Sequence, residues 1–249
     1  MISETISIST PDGISEAYVT RPDEGDHPAV LFYMDAIGLR PQLHDMADRM
    51  AAWGYVVLVP NVFYRDGTAD ELAPTEDLRV PENREKFFGG VMTRVHAYTP
   101  DLSMPDAHAY VDRLLALPGV TSGPIGVTGY CMGGALSLRT AGEMPDVVAA
   151  AGSFHGGNLA TDAADSPHLV ATRAAAELYL GHADNDGSMP PERIAKLEAA
   201  FDEAGLTYTS ELYPDAPHGY TMADSSMYHE QAAERHFREL EALLARTLG

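Results

Sequence analysis

Short β-branched apolar runs alternate along this chain with longer segments whose apolar residues recur at helical spacing. That alternation restricts the fold more than any other feature. Ala29-Val30-Leu31-Phe32-Tyr33 is one such run, Leu43, Met46, Ala47, Met50 and Ala51 follow at helical spacing, and Tyr55-Val56-Val57-Leu58-Val59 is the next run. The pattern predicts a helix at Asp106 to Leu117, a strand at Ile125 to Thr128, a helix from Met132 to about Gly142 and a strand at Val147 to Ser153. It then predicts strands at Glu177 to Leu180 and Thr207 to Leu212, with a helix at Pro191 to Ala204 between them and a closing helix at Ser225 to Leu248. At the N-terminus, Thr5 to Ser9 alternates, Pro11-Asp12-Gly13 signals a turn, and Ile14 to Thr20 returns as the second arm of a β-hairpin. Repeated β-α units of this kind give an α/β fold, a mostly parallel sheet with helices on both faces. Functional groups on such a sheet belong beyond the C-terminal ends of its strands.

Residues 61–104 interrupt the alternation with several prolines and glycines, and carry Tyr64, Arg65, Arg84, Phe87, Phe88 and Tyr98. They read as a long irregular insert of the kind that serves as a cap or binding loop. No repeat and no Gly/Ser/Pro-rich linker divides the chain, so residues 1–249 are expected to form a single domain. The 37 Asp and Glu against 16 Lys and Arg give a formal net charge of -21, a field that repels nucleic acid and acidic membrane surfaces. No apolar run is long enough to span a bilayer, and Met1-Ile2-Ser3-Glu4 lacks the basic and apolar regions of a secretory signal. With one cysteine, Cys131, no internal disulfide can form, and a cytoplasmic location is expected. Oligomeric state is left open by the sequence.

The most informative stretch is Ile125-Gly126-Val127-Thr128-Gly129-Tyr130-Cys131-Met132-Gly133-Gly134-Ala135. A strand enters a glycine, a nucleophile-capable side chain stands two residues on, and another glycine follows two residues later where a helix begins. A nucleophile on so sharp a turn needs neighbours without Cβ atoms, because strand and helix approach closely there. The helix N-terminus favours thiolate, and the Met132 N–H is placed to hold an oxyanion. An inert buried cysteine would not require this glycine frame. A dinucleotide-binding reading of Thr128-Gly129 to Gly133 fails because Ala135 stands where another glycine is needed and the motif is mid-chain. A P-loop fails because no Gly-Lys pair occurs.

A thiol nucleophile needs a base and an orienting acid, and later strand ends should supply both. His182-Ala183-Asp184-Asn185-Asp186 follows one predicted strand, and Pro217-His218-Gly219-Tyr220 follows the last. His218 is the expected base. The acid is Asp186 or Asp184, the former favoured by lying four residues before Pro190. The Asp184–Gly187 segment resembles a calcium loop only superficially, since Arg193 stands where the bidentate glutamate should fall. The chain order Cys, Asp, His is that of α/β-hydrolases.

Gly129-Tyr130-Cys131-Met132-Gly133-Gly134, Asp186 with Pro190, and Pro217-His218-Gly219-Tyr220 together resemble the dienelactone hydrolase family. Met34-Asp35-Ala36-Ile37-Gly38 and Asn61-Val62-Phe63-Tyr64-Arg65 extend the likeness over essentially the whole chain. The resemblance implies an α/β-hydrolase fold, a Cys131-His218-Asp186 triad and an ester or lactone substrate, with no metal or organic cofactor. It implies an oxyanion hole from the N–H groups of Met132 and Ala36. Asp35 stands where family lactonases hold a glutamate near the thiol. Two arginines bind the substrate carboxylate in those enzymes. Arg84 or Arg65 matches one, and Met222 occupies the place of the other. Asp35, Tyr64, Arg65, Arg84 and Met222 are thus the expected substrate-binding residues. Methionine cannot make a bidentate carboxylate contact, which argues against dienelactone itself. Met34, Met132, Met189 and Met222 lie near predicted strand ends, where they could line an apolar pocket. A thioesterase or general carboxylesterase on the same triad remains open, as does a non-catalytic binding or redox-sensing role for Cys131.

Overall fold

The computed structural model describes residues 1–249. Its N-terminal hairpin pairs β1 (Ile2–Thr10) with β2 (Gly13–Arg21) antiparallel, the turn being closed by the Thr10 hydroxyl donating to the Gly13 carbonyl at 2.9 Å. There follow β3 (Ala29–Tyr33), α1 (Pro41–Ala52), β4 (Val56–Pro60), α2 (Ala69–Leu72), α3 (Pro81–Ala97) and α4 (Pro100–Leu115). The second half comprises β5 (Ile125–Tyr130), α5 (Met132–Glu143), β6 (Val148–Phe154), α6 (Pro167–Ala171), β7 (Glu177–Ala183), α7 (Pro191–Ala204), β8 (Tyr208–Tyr213) and α8 (Glu230–Leu248).

All eight strands join one sheet in the order β1-β2-β4-β3-β5-β6-β7-β8. β1, β2 and β4 pair antiparallel, and every pair from β4 through β3 to β8 is parallel. β3, β4 and β5 are buried at every residue, as strands covered on both faces must be, which is why they read as unbroken apolar runs. α1 and α8 share one face, joined by the Arg49–Glu234 ion pair at 2.7 Å and by Trp53 packed edge-on to Phe237. α4, α5, α6 and α7 follow one another across the other face. A continuous cluster of 58 buried residues fills both interfaces.

Residues 61–104 depart from the irregular insert expected. Most of the segment is helical: α2 opens on a capping box between Thr68 and Glu71, and α3 runs for 17 residues from Pro81 at its first position. The Gly89-Gly90 pair and the prolines disguise this, because both residue types lower helix propensity without abolishing a helix that packs on its neighbours. α4 begins at Pro100 rather than Asp106 and carries Pro105 within it, and α8 begins at Glu230, capped by His229 accepting from the Ala232 N–H at 3.2 Å.

Candidate active site

Cys131 occupies the single residue between β5 and α5, with φ 56° and ψ −117°. This backbone is strained for any residue with a Cβ, and the surroundings hold it there. The Cys131 N–H donates to the Phe154 carbonyl at 3.2 Å, and its own carbonyl accepts from Gly134 and Gly157, each at 3.1 Å. The glycines are needed: a Cβ on Gly129 would fall on the Gly133 carbonyl, and one on Gly133 would stand 2.5 Å from the carbonyl oxygens of Tyr33 and Met34. The thiol is thereby presented at the C-terminal edge of the sheet and the N-terminus of α5.

His218, in the loop after β8, lines the cavity beside Cys131, and its Nδ1 lies 2.6 Å from Asp186 Oδ2. Burial alone would lower the His218 pKa. The negative charge on Cys131 and the bond to Asp186 outweigh it, and the imidazole is pushed up to about 10. Asp186, in the loop after β7, also accepts from the Ser188 N–H at 2.8 Å and hydroxyl at 2.7 Å. Burial works to raise its pKa, but His218 and Ser188 together hold it below the usual carboxylate value. The structure brings Asp186, not Asp184, to His218. Asp184 Oδ2 instead accepts the Asp215 N–H at 2.9 Å and fastens the loop that carries the histidine. His155 is fully buried behind His218, edge-on at 5.2 Å, and bonded to the Thr221 hydroxyl at 2.7 Å. Burial drives its pKa well down, so it faces His218 as a neutral ring.

Ala36 and Met132 flank Cys131 on the cavity wall. The turn carrying Ala36 is fixed by Asp35, whose Oδ1 accepts the Ile37 N–H at 3.1 Å and whose carbonyl accepts the Gly38 N–H at 3.2 Å. Asp35 lines a narrow annex of the site with Cys131, Arg84 and Met222, yet its carboxylate is taken by Arg40, which donates to Oδ1 at 2.6 Å and Oδ2 at 3.1 Å. Arg40 also reaches Asp224 at 2.6 Å and the Met222 sulfur at 3.3 Å. Asp35 is thus held in a buried ion pair that anchors the turn, at the edge of the annex it shares with Cys131. Met222, 1% exposed, packs against that guanidinium.

A cavity of about 430 Å³ opens above the thiol. One wall is α5, and the other is α3, which contributes Arg84, Phe88, Met92 and Val95. These residues recur at helical spacing, a signal present in the sequence but masked by the flanking prolines and glycines. The Arg84 guanidinium lies 4.4 Å over the Phe88 ring, and its buried Nε has no hydrogen-bond partner. Burial lowers its pKa, opposed by the negative charges of Cys131 and Asp35. Tyr64 and Arg65 do not reach the cavity, a correction to the sequence reading. Both are drawn to the fully buried Asp106, Tyr64 at 2.9 Å and Arg65 at 2.7 Å, and with Tyr98 they satisfy that carboxylate. Of the four methionines, Met132 lines the cavity and Met222 its annex, whereas Met34 and Met189 belong to the core. The sequence reading missed Ser188 and Arg139, both on the cavity wall.

The family model for the dienelactone hydrolase family matches residues 15–248. The chain belongs to the dienelactone hydrolase family. Membership makes it a hydrolase acting on lactone or ester bonds. A relative in Methylorubrum extorquens is 25% identical over 97% of this chain and 80% of its own length. A carboxymethylenebutenolidase of Rhodococcus opacus is 25% identical over 86% of this chain and 78% of its own. Among solved structures, a dienelactone hydrolase-like promiscuous phosphotriesterase from metagenomic libraries superimposes with a TM-score of 0.83 at 18% identity, covering 100% of this chain and 99% of that one. The fold is the α/β-hydrolase fold of that family. No helix is long and apolar enough to cross a membrane.

Proposed function

We propose that the chain hydrolyses carboxylic esters and lactones through a Cys131-His218-Asp186 triad and a thioester acyl-enzyme. The observation that carries this reading is the placement of Cys131 on a strained, glycine-framed elbow, beside a histidine that Asp186 holds by its Nδ1. The Cys131 thiolate attacks the carbonyl carbon. The N–H groups of Met132 and Ala36 take the developing oxyanion, which is where the negative charge grows most. Collapse of the tetrahedral adduct breaks the C–O bond, and His218 gives its proton to the leaving alkoxide. Water, deprotonated by the now neutral His218, then attacks the thioester and returns the acid and the thiol. Asp186 fixes the imidazole tautomer and offsets its positive charge throughout. Arg84 lines the annex that Cys131 and His218 share, placing a cation beside the reacting group.

Thiolate leaves as readily as it attacks, so activated esters, thioesters and strained lactones suit this site better than amides. Its chemistry, dependent on one reduced cysteine, also fits a cytoplasmic location. The test is hydrolysis of p-nitrophenyl acetate by wild type, Cys131→Ala and His218→Ala, with iodoacetamide labelling alongside. Turnover by wild type and its near-complete loss in both variants is expected. Hydrolysis surviving in Cys131→Ala would overturn the assignment. Reversible oxidation of Cys131 without any turnover would favour a redox or binding role.

A further inference from the structure

The cavity continues well past the triad. Met132, Ala135, Leu136 and Arg139 all line it, and their spacing of i, i+3, i+4 and i+7 puts them on one face of α5. Its floor is therefore apolar from the thiol outward and then ends in a guanidinium. Arg139 lies eight residues along α5 from Cys131, about 12 Å at the rise of an α-helix, and helical side chains lean back toward the N-terminus. Its charge therefore sits about 10 Å from the reacting sulfur.

Arg139 is poorly compensated for a side chain only 12% exposed. Its nearest acid, Asp165, is 4.0 Å away and 59% exposed, and the guanidinium makes no hydrogen bond to the protein. Burial lowers its pKa and Asp165 opposes this. Several arginines in this acidic chain are engaged by close carboxylates: Arg40, Arg49, Arg65, Arg173 and Arg235 each pair at 2.7 Å or less. Arg84, the other cavity arginine, faces the charges of Cys131 and Asp35. Neither cavity arginine hydrogen-bonds to the protein, but Arg84 also lines the annex beside Cys131, whereas Arg139 lines the main cavity a helix length from the thiol. A half-desolvated guanidinium with unused donors is stabilised by a ligand anion.

We propose that Arg139 is the specificity residue of a distal subsite, and that the preferred substrates are esters whose acyl chain is apolar, of medium length, and terminated by a carboxylate. The proposal rests on the acyl-transfer reading above. The single guanidinium matches one carboxylate in bidentate fashion, while the protein's net charge of -21 disfavours a more highly charged terminus. Met132, Ala135 and Leu136 on one side, with Phe88, Met92 and Val95 on the other, bury the methylenes between the two ends.

The test compares p-nitrophenyl octanoate with the mono-p-nitrophenyl ester of azelaic acid, in wild type, Arg139→Gln and Arg139→Lys. Wild type should favour the carboxylate ester by about tenfold or more in kcat/KM, mainly through KM, as an interaction common to ground and transition states requires. Arg139→Gln should bring the ratio close to one, and Arg139→Lys should retain part of it. Calorimetric titration of azelate into Cys131→Ala, with and without Arg139→Gln, reads the same subsite without catalysis and should show a comparable loss of affinity. Absence of a preference in wild type, or a ratio untouched by Arg139→Gln, would overturn the subsite even if esters are cleaved. Arg139-dependent azelate binding without cleavage of either ester would leave the subsite standing and sink the acyl-transfer reading instead.

Discussion

Arg40→Met should be far more costly than its distance from the thiol suggests. Arg40 and Asp35 have side chains 4% and 5% exposed, and the pair is bidentate. Removing the guanidinium strands a carboxylate where water cannot reach it. At a charge separation near 4 Å and an effective dielectric near 20, the lost attraction is about 4 kcal/mol, in line with the roughly 3–5 kcal/mol usually lost when one partner of a buried pair is removed. Asp224 adds little, because at 35% exposure it rehydrates. Adding Asp35→Asn to the variant removes the uncompensated charge while retaining an oxygen for the Ile37 N–H, so the double variant should recover most of the loss. Urea denaturation at neutral pH measures all four corners of this cycle. A single-variant loss below about 1 kcal/mol, or a double variant no better than the single, would refute the claim that this pair anchors the turn carrying Ala36.

Asp186→Asn should lower ester hydrolysis by about 10³- to 10⁴-fold, as loss of the orienting acid does in comparable triads, and Asp184→Asn should not; initial rates on p-nitrophenyl acetate decide it. Arg65→Met should reduce thermal stability by stripping the buried Asp106 of its cation yet leave ester hydrolysis within about twofold, so a large rate loss would restore Arg65 to the site. Burial holds His182 down to about 4 and His236 down to about 3, from an ordinary value of 6.5. The unfolded chain therefore binds more protons in that window, and stability is complete above about pH 6.5 and falls as pH drops toward 4. Melting temperatures between pH 7.5 and 4.5 should decline, less steeply in His182→Gln, and a flat profile would contradict the burial argument. His218 acts in the opposite sense: raised to about 10, it contributes stability that is lost as pH rises through that value.

Much of this is legible in the sequence because it depends on local pattern. β3 and α7 follow the residue periodicity to the exact ends, since unbroken apolar runs and a Pro191 start leave few alternatives. The elbow is legible for a steric reason, as glycines at 129 and 133 are the residues on which strand and helix collide if a Cβ is present. What pairs with what across long separations is harder to read. Arg40 and Asp224 are 184 residues apart, and Arg65 and Asp106 are 41, so nothing local shows that Arg65 turns inward to a buried acid instead of toward substrate. α3 is hidden for a different reason: Gly89-Gly90 weakens its helix signal, and only packing over the cavity restores it. Arg139 looks like an ordinary helix arginine until α5 is seen to floor the site.

In the proposed mechanism the acyl group is carried on Cys131. Wild type mixed with p-nitrophenyl acetate and quenched in acid within the first turnovers should yield, on peptide mapping, an acetyl thioester on Cys131, and His218→Ala should accumulate far less of it. An acetyl group found elsewhere, or full turnover with Cys131 blocked by iodoacetamide, would rule out Cys131 as the nucleophile.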